Sequence, residues 1–165
     1  MSSTPLPAAA RWAPRVTVAA VISDAQGRYL VVEERTARGL RLNNPAGHLE
    51  PGETLTAAVV REVLEETARP FVPEAVVGIY LARVEAPGAG VADAYLRFTF
   101  CGRVGEPEPG RVLDEPIVRT LWLTREELAA DPLRLRSPMV MRSVDDHAAG
   151  RRHDLAVLGV VAPLT

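Results

Sequence analysis

The stretch "GHLEPGETLTAAVVREVLEETAR", Gly47 to Arg69, joins a glycine-rich loop to a segment with helical periodicity. Thr54 is a favourable N-cap residue for this helix. The aliphatic residues that follow it fall on one side of an α-helix: Val59, Val60, Val63 and Leu64. A residue before proline avoids the α region, so the helix is predicted to end before Pro70. The stretch therefore predicts an amphipathic helix. The glycines of the preceding loop allow the loop backbone to come close to a ligand.

Three glutamates occupy the opposite side of this helix. Glu62, Glu65 and Glu66 are three or four residues apart, so they are neighbours on the helix surface, where like charges are destabilising. The helix dipole also disfavours negative charge at this C-terminal end. Solvated helix faces usually mix acids with bases, whereas this side has only Arg61 at its edge and Glu53 just before it. One interpretation is a solvated charged face. The other is a site for a divalent cation, because hard oxygen ligands suit Mg²⁺ or Mn²⁺.

The whole chain limits the classes of protein that need to be considered. Its 165 residues are the length of one ordinary domain, and a hydrophobic fraction of 47% is sufficient for a core. The net charge is −2 and the 19 basic residues, all arginines, form no basic block, which argues against a nucleic-acid polymer as partner. Residues 1–14 lack the apolar core of a signal peptide, and no apolar run reaches the length of a membrane span. We predict a flexible tail at 1–14 and one domain at 15–165.

Cysteine usage predicts the compartment. Cys101 is the only cysteine, so no intrachain disulfide can form, and this is typical of a reducing cytoplasm. Because Cys101 lies in an apolar, strand-like segment, we expect a buried and unreactive thiol. The sequence thus predicts a cytoplasmic protein with no membrane partner, either a monomer or a homodimer.

The remaining elements follow from short-range patterns. Six segments are predicted as strands: "RVTVAAVIS" (15–23), "RYLVVEER" (28–35), "AVVGIYLARVEA" (75–86), "AYLRFTFCGRV" (94–104), "IVRTLWL" (117–123) and "HDLAVLGVV" (153–161). The first two flank a turn and predict a hairpin, whereas the prolines and glycines of 41–53 predict a loop. A short helix should follow the capping box of Thr124 and Glu127, and another should be capped by Ser137. Strands mixed with helices predict a single α/β domain.

The acidic helix and its loop resemble the sequence signature of the Nudix hydrolases. Seven fixed positions of that signature are present at the required spacing: Gly47, Glu53, Arg61, Glu62, Val63, Glu65 and Glu66. The chain departs from it only at Ala68 and Arg69, where the family has glycine and an aliphatic residue. Softer matches between Arg15 and Val140 resemble the NudJ-type phosphatases of bacteria. The resemblance implies a Nudix-type α/β/α sandwich with a mixed β-sheet.

The same resemblance implies a role for each residue of the signature. Glu62 and Glu66 would be the main ligands of Mg²⁺, with Mn²⁺ as a substitute, and the backbone carbonyl of Ala46 would be a further ligand. Glu65 would bind metal or deprotonate the attacking water. Arg61 would orient the acids by pairing with Glu53 or Glu65, and Glu53 would be structural or would reach a second metal through water. Such a site hydrolyses diphosphate linkages, because metal ions neutralise the phosphate oxygens and activate water.

Residues outside the signature offer further candidates. Family members often add an acid from a later loop, for which Asp114 and Glu115 are the candidates here, with a solvated loop as the equal alternative. His48 is at a variable position of the signature and is predicted to be loop filler. Three aromatic residues could stack on a base, although their strand spacing favours core packing: Tyr95, Phe98 and Trp122.

Substrate choice remains open among several small molecules. NudJ-type enzymes are associated with nucleoside tri- and diphosphates and with the pyrophosphate of the thiamine pyrimidine. The alternative is hydrolysis of ADP-ribose or another nucleoside diphosphate linked to a second group. ADP-ribose enzymes often have a proline at the position of Val84 and Glu85, but here Pro87 comes later. The tyrosine of diadenosine polyphosphate hydrolases is replaced by Ala86. A ligand-binding module without activity is a third reading, but such domains lose acids that this chain keeps.

Overall fold

A computed structural model describes residues 12–86 and 90–161. The described chain forms two sheets with α-helices packed against them, together with two short 3-10 helices at Pro132–Arg134 and Leu155–Val157. The strands and α-helices are, in chain order, β1 (Arg15–Val21), β2 (Tyr29–Thr36), β3 (Gly39–Asn43), β4 (Ala46–His48), α1 (Leu55–Thr67), β5 (Phe71–Ala86), β6 (Gly90–Val104), β7 (Ile117–Leu123), α2 (Arg125–Ala130) and α3 (Met139–Ala148). No helix in these two ranges is long and apolar enough to cross a membrane.

The larger sheet is mixed and has helices on both faces. Its strand order is β4-β1-β6-β5, with β1 parallel to β6 and the other neighbours antiparallel. Alternate residues of β1 face opposite ways: Val18 and Ala20 join the core beneath α1, whereas Val21 packs with Val140 and Val144 of α3. The predicted α/β class and α/β/α sandwich with a mixed sheet are confirmed. Cys101 is buried on the α3 side, as expected.

The predicted hairpin between the first two strands is wrong. A tight turn does connect them, with the Asp24 N–H donating to the Arg28 carbonyl at 2.9 Å. Beyond a single bridge at Ser23 and Tyr29, however, the strands separate. Strand β1 joins the mixed sheet, and β2 joins the three-stranded antiparallel sheet of order β3-β2-β7. Both strands are almost continuously buried, so each needs neighbours on both edges and cover on both faces, which a two-stranded hairpin does not supply.

Three other local predictions are corrected by long-range pairing. The segment 41–53 is not all loop, because it contains the end of β3, paired with β2, and the short strand β4, paired with β1. The predicted last strand at 153–161 is a single bridge at His153 followed by a 3-10 turn, which Asp154 caps by accepting from the Ala156 N–H at 2.8 Å. Ser137 provides no side-chain cap, and α3 begins after Pro138. The predicted capping box of α2 is present.

Helix α1 forms as its sequence predicts. The Thr54 hydroxyl accepts a hydrogen bond from the Ala57 N–H at 3.1 Å, and the helix buries Ala58, Val59 and Val63 in the core. The chain leaves the helix at Ala68, which has left-handed backbone angles (φ 57°) and whose N–H donates to the Leu64 carbonyl. Because the apolar side is fixed against β1, the acidic side is directed at β4 and the loop that precedes the helix. The predicted tail lies mostly outside the described residues.

Candidate active site

Arg61 connects the acidic side of α1 to the loop before it. Its Nε and Nη2 donate to the two carboxylate oxygens of Glu53 at 2.7 and 3.0 Å, which is a bidentate pair. Its Nη1 donates to Glu62 at 2.8 Å and to Glu65 at 2.9 Å, and Nη2 also reaches the His48 carbonyl at 3.0 Å. The hydrogen bonds from Arg61 lower the pKa of Glu53. One guanidinium thus holds three carboxylates and the loop in a fixed arrangement.

Glu66 points away from this cluster and towards β4. Its carboxylate accepts a hydrogen bond from the Ala46 N–H at 2.8 Å. Burial, together with the nearby carboxylates of Glu62 and Glu34, raises the pKa of Glu66 to about 8. Burial also raises the pKa of Glu62, and the charges of Glu65 and Asp114 add to that effect. The carboxylates of Glu62 and Glu66 are therefore withdrawn from water without enough positive charge to compensate them. A solvated charged face would not show this.

The glycine of the signature is required by the position of Glu62. A Cβ atom built on Gly47 would overlap the Glu62 carboxylate, at a separation that real Cβ atoms do not show. Gly47 is also paired with Val18 in the ladder between β4 and β1, so its backbone is fixed. The glycine therefore lets the strand and the acidic helix approach closely enough for their oxygens to share one site.

Strand β4 directs a backbone oxygen to the same place. The Ala20 N–H donates to the Pro45 carbonyl at 2.9 Å, so these two residues form a hydrogen-bonded pair. Such pairs alternate along an antiparallel ladder, so Ala46, the next residue, has its N–H and C=O directed away from β1. Because the N–H of Ala46 donates to Glu66, its carbonyl lies on the side of β4 that faces the acidic helix.

The later loop brings one of the two candidate acids to the site. The Asp114 N–H donates to the Glu65 carbonyl at 3.1 Å, which fixes this loop against the end of α1. The carboxylate of Asp114 is close enough to raise the pKa of Glu62. Glu115 is exposed like its neighbour, and its side chain forms no hydrogen bond or ion pair with the acidic helix within the described residues. Of the two, Asp114 is therefore the residue that the fold brings near the signature.

A row of polar residues on the α3 side of the mixed sheet, opposite α1, was not predicted from the sequence. It consists of Thr17, Arg97 and Thr99, which are all buried although they lie in the middle of β1 and β6. Glu34, on β2, also contributes its charge here and is ion-paired with Arg136 at 3.1 Å. The signal in the sequence is the arginine in "YLRFTF", because a charged residue in a buried strand requires a partner or a ligand.

The candidate aromatic residues have different positions. The rings of His48 and Tyr95 lie 6.3 Å apart at the exposed end of the polar row. Phe98 packs against the core beneath α1, as predicted for a core residue. Trp122 also packs against that core and lies 5.9 Å beneath the guanidinium of Arg69. The aliphatic residue that the signature expects at Arg69 is thus replaced by a cation stacked on an aromatic ring.

The donor set fits a hard divalent cation. In the described ranges no three acidic, histidine or cysteine side chains converge as a ready metal site, because Arg61 holds Glu62 and Glu65. The oxygens nevertheless suit Mg²⁺, which takes one or two carboxylates plus water and phosphate oxygens. Burial has raised the pKa of both Glu62 and Glu66, and a bound cation would compensate both carboxylates.

The chain matches the sequence profile of the NUDIX domain over residues 13–144, which includes the acidic helix, β4 and the loop of Asp114. It therefore belongs to the Nudix family and is a hydrolase.

Among its relatives, Phosphatase NudJ of Escherichia coli K12 is 37% identical over 147 residues, which are 88% of this chain and 91% of that protein. A solved NUDIX hydrolase from Nitrosomonas europaea is 45% identical and superposes with a TM-score of 0.82, covering 90% of this chain and 98% of that one. A MutT NUDIX hydrolase from Burkholderia pseudomallei, 20% identical, shares the fold with a TM-score of 0.67 over 82% of this chain and 98% of that one. The predicted family and the likeness to NudJ-type phosphatases are confirmed.

Proposed function

We propose that this enzyme hydrolyses a phosphoanhydride bond of a small nucleotide-like diphosphate and that it requires Mg²⁺. The observation that supports the proposal is the pair of desolvated carboxylates, Glu62 and Glu66, beside the carbonyl of Ala46 and the close approach of Gly47. These three oxygen donors would hold the ion. When bound, it neutralises phosphate oxygens and lowers the pKa of coordinated water.

The remaining residues of the signature position a proton acceptor. Glu65 is the most exposed of the three acids held by Arg61, and its carboxylate is fixed by Nη1 of that arginine at 2.9 Å. It accepts the proton of the attacking water as the water oxygen bonds to phosphorus. The phosphorus–oxygen bond of the anhydride breaks, and the leaving phosphate or phosphomonoester carries the bonding electron pair. The pairing of Arg61 with Glu53 holds the Glu65 carboxylate in this position.

The substrate class is proposed from the resemblance to NudJ-type phosphatases. One relative is named a phosphatase, which supports release of orthophosphate. The substrates that the resemblance implies are nucleoside tri- and diphosphates or the thiamine pyrimidine pyrophosphate. ADP-ribose and other nucleoside diphosphates linked to a second group remain the alternative substrates. All four acids of the signature are present, which supports an active enzyme over a ligand-binding module. The proposed partner is therefore a small molecule, without a nucleic-acid polymer.

The test is a substrate panel with product identification. Nucleoside tri- and diphosphates, the thiamine pyrimidine pyrophosphate and ADP-ribose are each incubated with the enzyme and Mg²⁺, and the products are assigned by ³¹P NMR. We expect orthophosphate from at least one of the first two classes. A Glu65→Gln variant, which keeps the shape of the side chain, is the matched control for contaminating phosphatases. Nucleoside monophosphate and ribose phosphate from ADP-ribose alone would select the alternative, and no Mg²⁺-dependent product at all would contradict the proposal.

A further inference from the structure

Arg97 is a buried arginine that leaves two of its three donor nitrogens without a partner in the described part of the chain. Its residue is only 7% exposed, yet within residues 12–86 and 90–161 neither Nε nor Nη1 has a hydrogen-bond partner. No ion pair of Arg97 is formed in these ranges either, although the charges of Glu66 and Glu34 are close enough to act on it. Burial lowers the pKa of Arg97 to about 10, so the guanidinium is still cationic at neutral pH. A buried cation with unused N–H groups is costly unless something else accepts them.

The residues around Arg97 are also polar and also lack hydrogen-bond partners in the described chain. Thr17 lies directly opposite Arg97 in the parallel ladder of β1 and β6, and Thr99 follows two residues later on the same face. The hydroxyls of both threonines are buried and without a partner in the described chain. Farther along this face the residues become apolar, with Val21 in the core beneath α3. The polar row is therefore local, and it lies at the end of the face that leads to Tyr95 and His48.

The charge of Arg97 is coupled to the acids of the signature. Among the charged groups that act on Arg97, Glu66, one of the proposed metal ligands, has the largest effect. The carboxylate of Glu66 reaches the edge of the sheet at Ala46, which pairs with Ala19 of β1. Ala19 in turn lies opposite Thr99 of the polar row. A phosphate that contacts a cation at Glu66 is therefore within reach of the charge of Arg97.

We propose that Arg97 binds a phosphoryl oxygen of the substrate through its guanidinium, on the side of the diphosphate away from the acidic helix. The inference rests on the proposed function. Adjacent N–H donors of a guanidinium match the spacing of two oxygens on one phosphate, and such charge-assisted bonds are strong where water is excluded. The hydroxyls of Thr17 and Thr99 extend the same set of donors. Arg97 thus selects substrates with a compact dianionic phosphate at this end.

A purely structural role predicts something different. In that case Arg97 only neutralises Glu66 and Glu34 from a distance, and its loss lowers the stability of the metal-free protein without changing the affinity for a phosphate ligand. The two roles separate in a binding experiment at saturating Mg²⁺. Methylenediphosphonate is a suitable probe, since its P–C–P bridge mimics the diphosphate and is not hydrolysed.

The experiment compares wild type with Arg97→Gln and Arg97→Lys by titration calorimetry. Loss of charge-assisted hydrogen bonds should weaken binding of methylenediphosphonate about 10- to 100-fold in Arg97→Gln, with a smaller loss in Arg97→Lys, which keeps the charge. For a hydrolysed substrate, KM should rise more than kcat falls. Arg103→Gln removes the same charge from the same strand, where the arginine is 79% exposed and paired with Glu74, and should bind as wild type does.

The outcomes distinguish this inference from the proposed function. Unchanged affinity in a folded Arg97→Gln protein, or in Arg97→Lys if the glutamine variant does not fold, together with an unchanged KM, overturns the role of Arg97. Weakened binding of the probe in a protein whose wild type hydrolyses nothing in the panel would uphold the role of Arg97 and contradict the proposed function instead.

Discussion

Glu66 shows how strongly a single residue departs from what a helix surface favours. Its charge is destabilising for the helix on three counts: it follows Glu62 by one turn, it lies near the negative end of the dipole, and it is desolvated. Among the described residues, only the Ala46 N–H donates a hydrogen bond to its carboxylate. A residue with this set of penalties is explained by function, because a neutral side chain at the same place would serve stability better.

We therefore predict opposite effects of Glu66→Gln on stability and on turnover. The folded protein holds the Glu66 proton up to about pH 8, whereas the unfolded chain releases it near 4.5, so the stability of metal-free wild type falls as pH rises between these values. Glutamine keeps the bond from Ala46 but does not titrate. At pH 5 the two proteins should have similar free energies of unfolding. At pH 8 the variant should be more stable by about 1 kcal/mol or more, since one pKa unit corresponds to about 1.4 kcal/mol.

Turnover of Glu66→Gln should fall by orders of magnitude, because the activating ion loses a ligand. Urea denaturation at the two pH values and steady-state kinetics test the pair of effects. If the variant turns over substrate as fast as wild type, Glu66 is not a metal ligand.

A second prediction concerns Gly47. In Gly47→Ala the new methyl group overlaps the Glu62 carboxylate, so either Glu62 or β4 must move. We expect a loss of at least tenfold in kcat/KM, because misplacing catalytic groups by about 1 Å is costly. Gly159→Ala is the matched control, since a Cβ there meets nothing within 4 Å. Equal activity of the two variants would show that the close approach is dispensable.

A third prediction separates the two loop acids. Asp114→Asn should lower turnover by about tenfold or more, in line with the loss of an acid–base or charge-positioning group, while the melting temperature stays near that of wild type. Glu115→Gln is the control, because its side chain is not brought to the acidic helix. If both variants turn over as wild type does, this loop supplies no essential acid.

At the scale of elements, the end of α1 shows why the signature glycine can be replaced. Ala68 has left-handed angles, which cost an alanine about 1–2 kcal/mol relative to glycine. Its methyl group is buried, however, and burial of one such group contributes about 0.8 kcal/mol. We predict that Ala68→Gly changes the free energy of unfolding by less than about 1 kcal/mol and leaves kcat unchanged. A change beyond that limit in denaturant titrations would mean that one of the two terms dominates.

Elements stabilised by local contacts were predictable, and elements stabilised by distant contacts were not. The boundaries of α1 and the capping box of α2 follow from residues within one turn of each other. The separation of β1 from β2 depends instead on strands much later in the chain, and β4 is only three residues long. The same distinction applies at the site. The acids of α1 share one helix and could be predicted from their spacing, whereas the charge of Arg97 is brought into range of Glu66 by the pairing of β6 with β1.

At the scale of the whole molecule, bound metal should be visible as stability. A ligand of the native state present at a hundred times its dissociation constant adds about 2.7 kcal/mol, which for a chain of this size raises the melting temperature by about 5–10 °C. We expect such a rise with Mg²⁺ in wild type, a smaller one in Glu66→Gln, and loss of hydrolysis in excess EDTA that Mn²⁺ or Mg²⁺ restores. Full activity with EDTA would contradict the metal-dependent mechanism.

The parallel pairing of β1 with β6 also has a consequence for the order in which the enzyme is made. Arg15 pairs with Tyr95, so the centre of the sheet stays open until the ribosome has released more than half of the chain. Helix α1 can form earlier, but Glu66 does not have the charge of Arg97 near it until β6 has paired with β1. Contacts of such long sequence separation slow folding. Pulsed hydrogen exchange during refolding should therefore show the amides of β1 and β6 becoming protected together and last, and catalytic competence should appear in that same final phase.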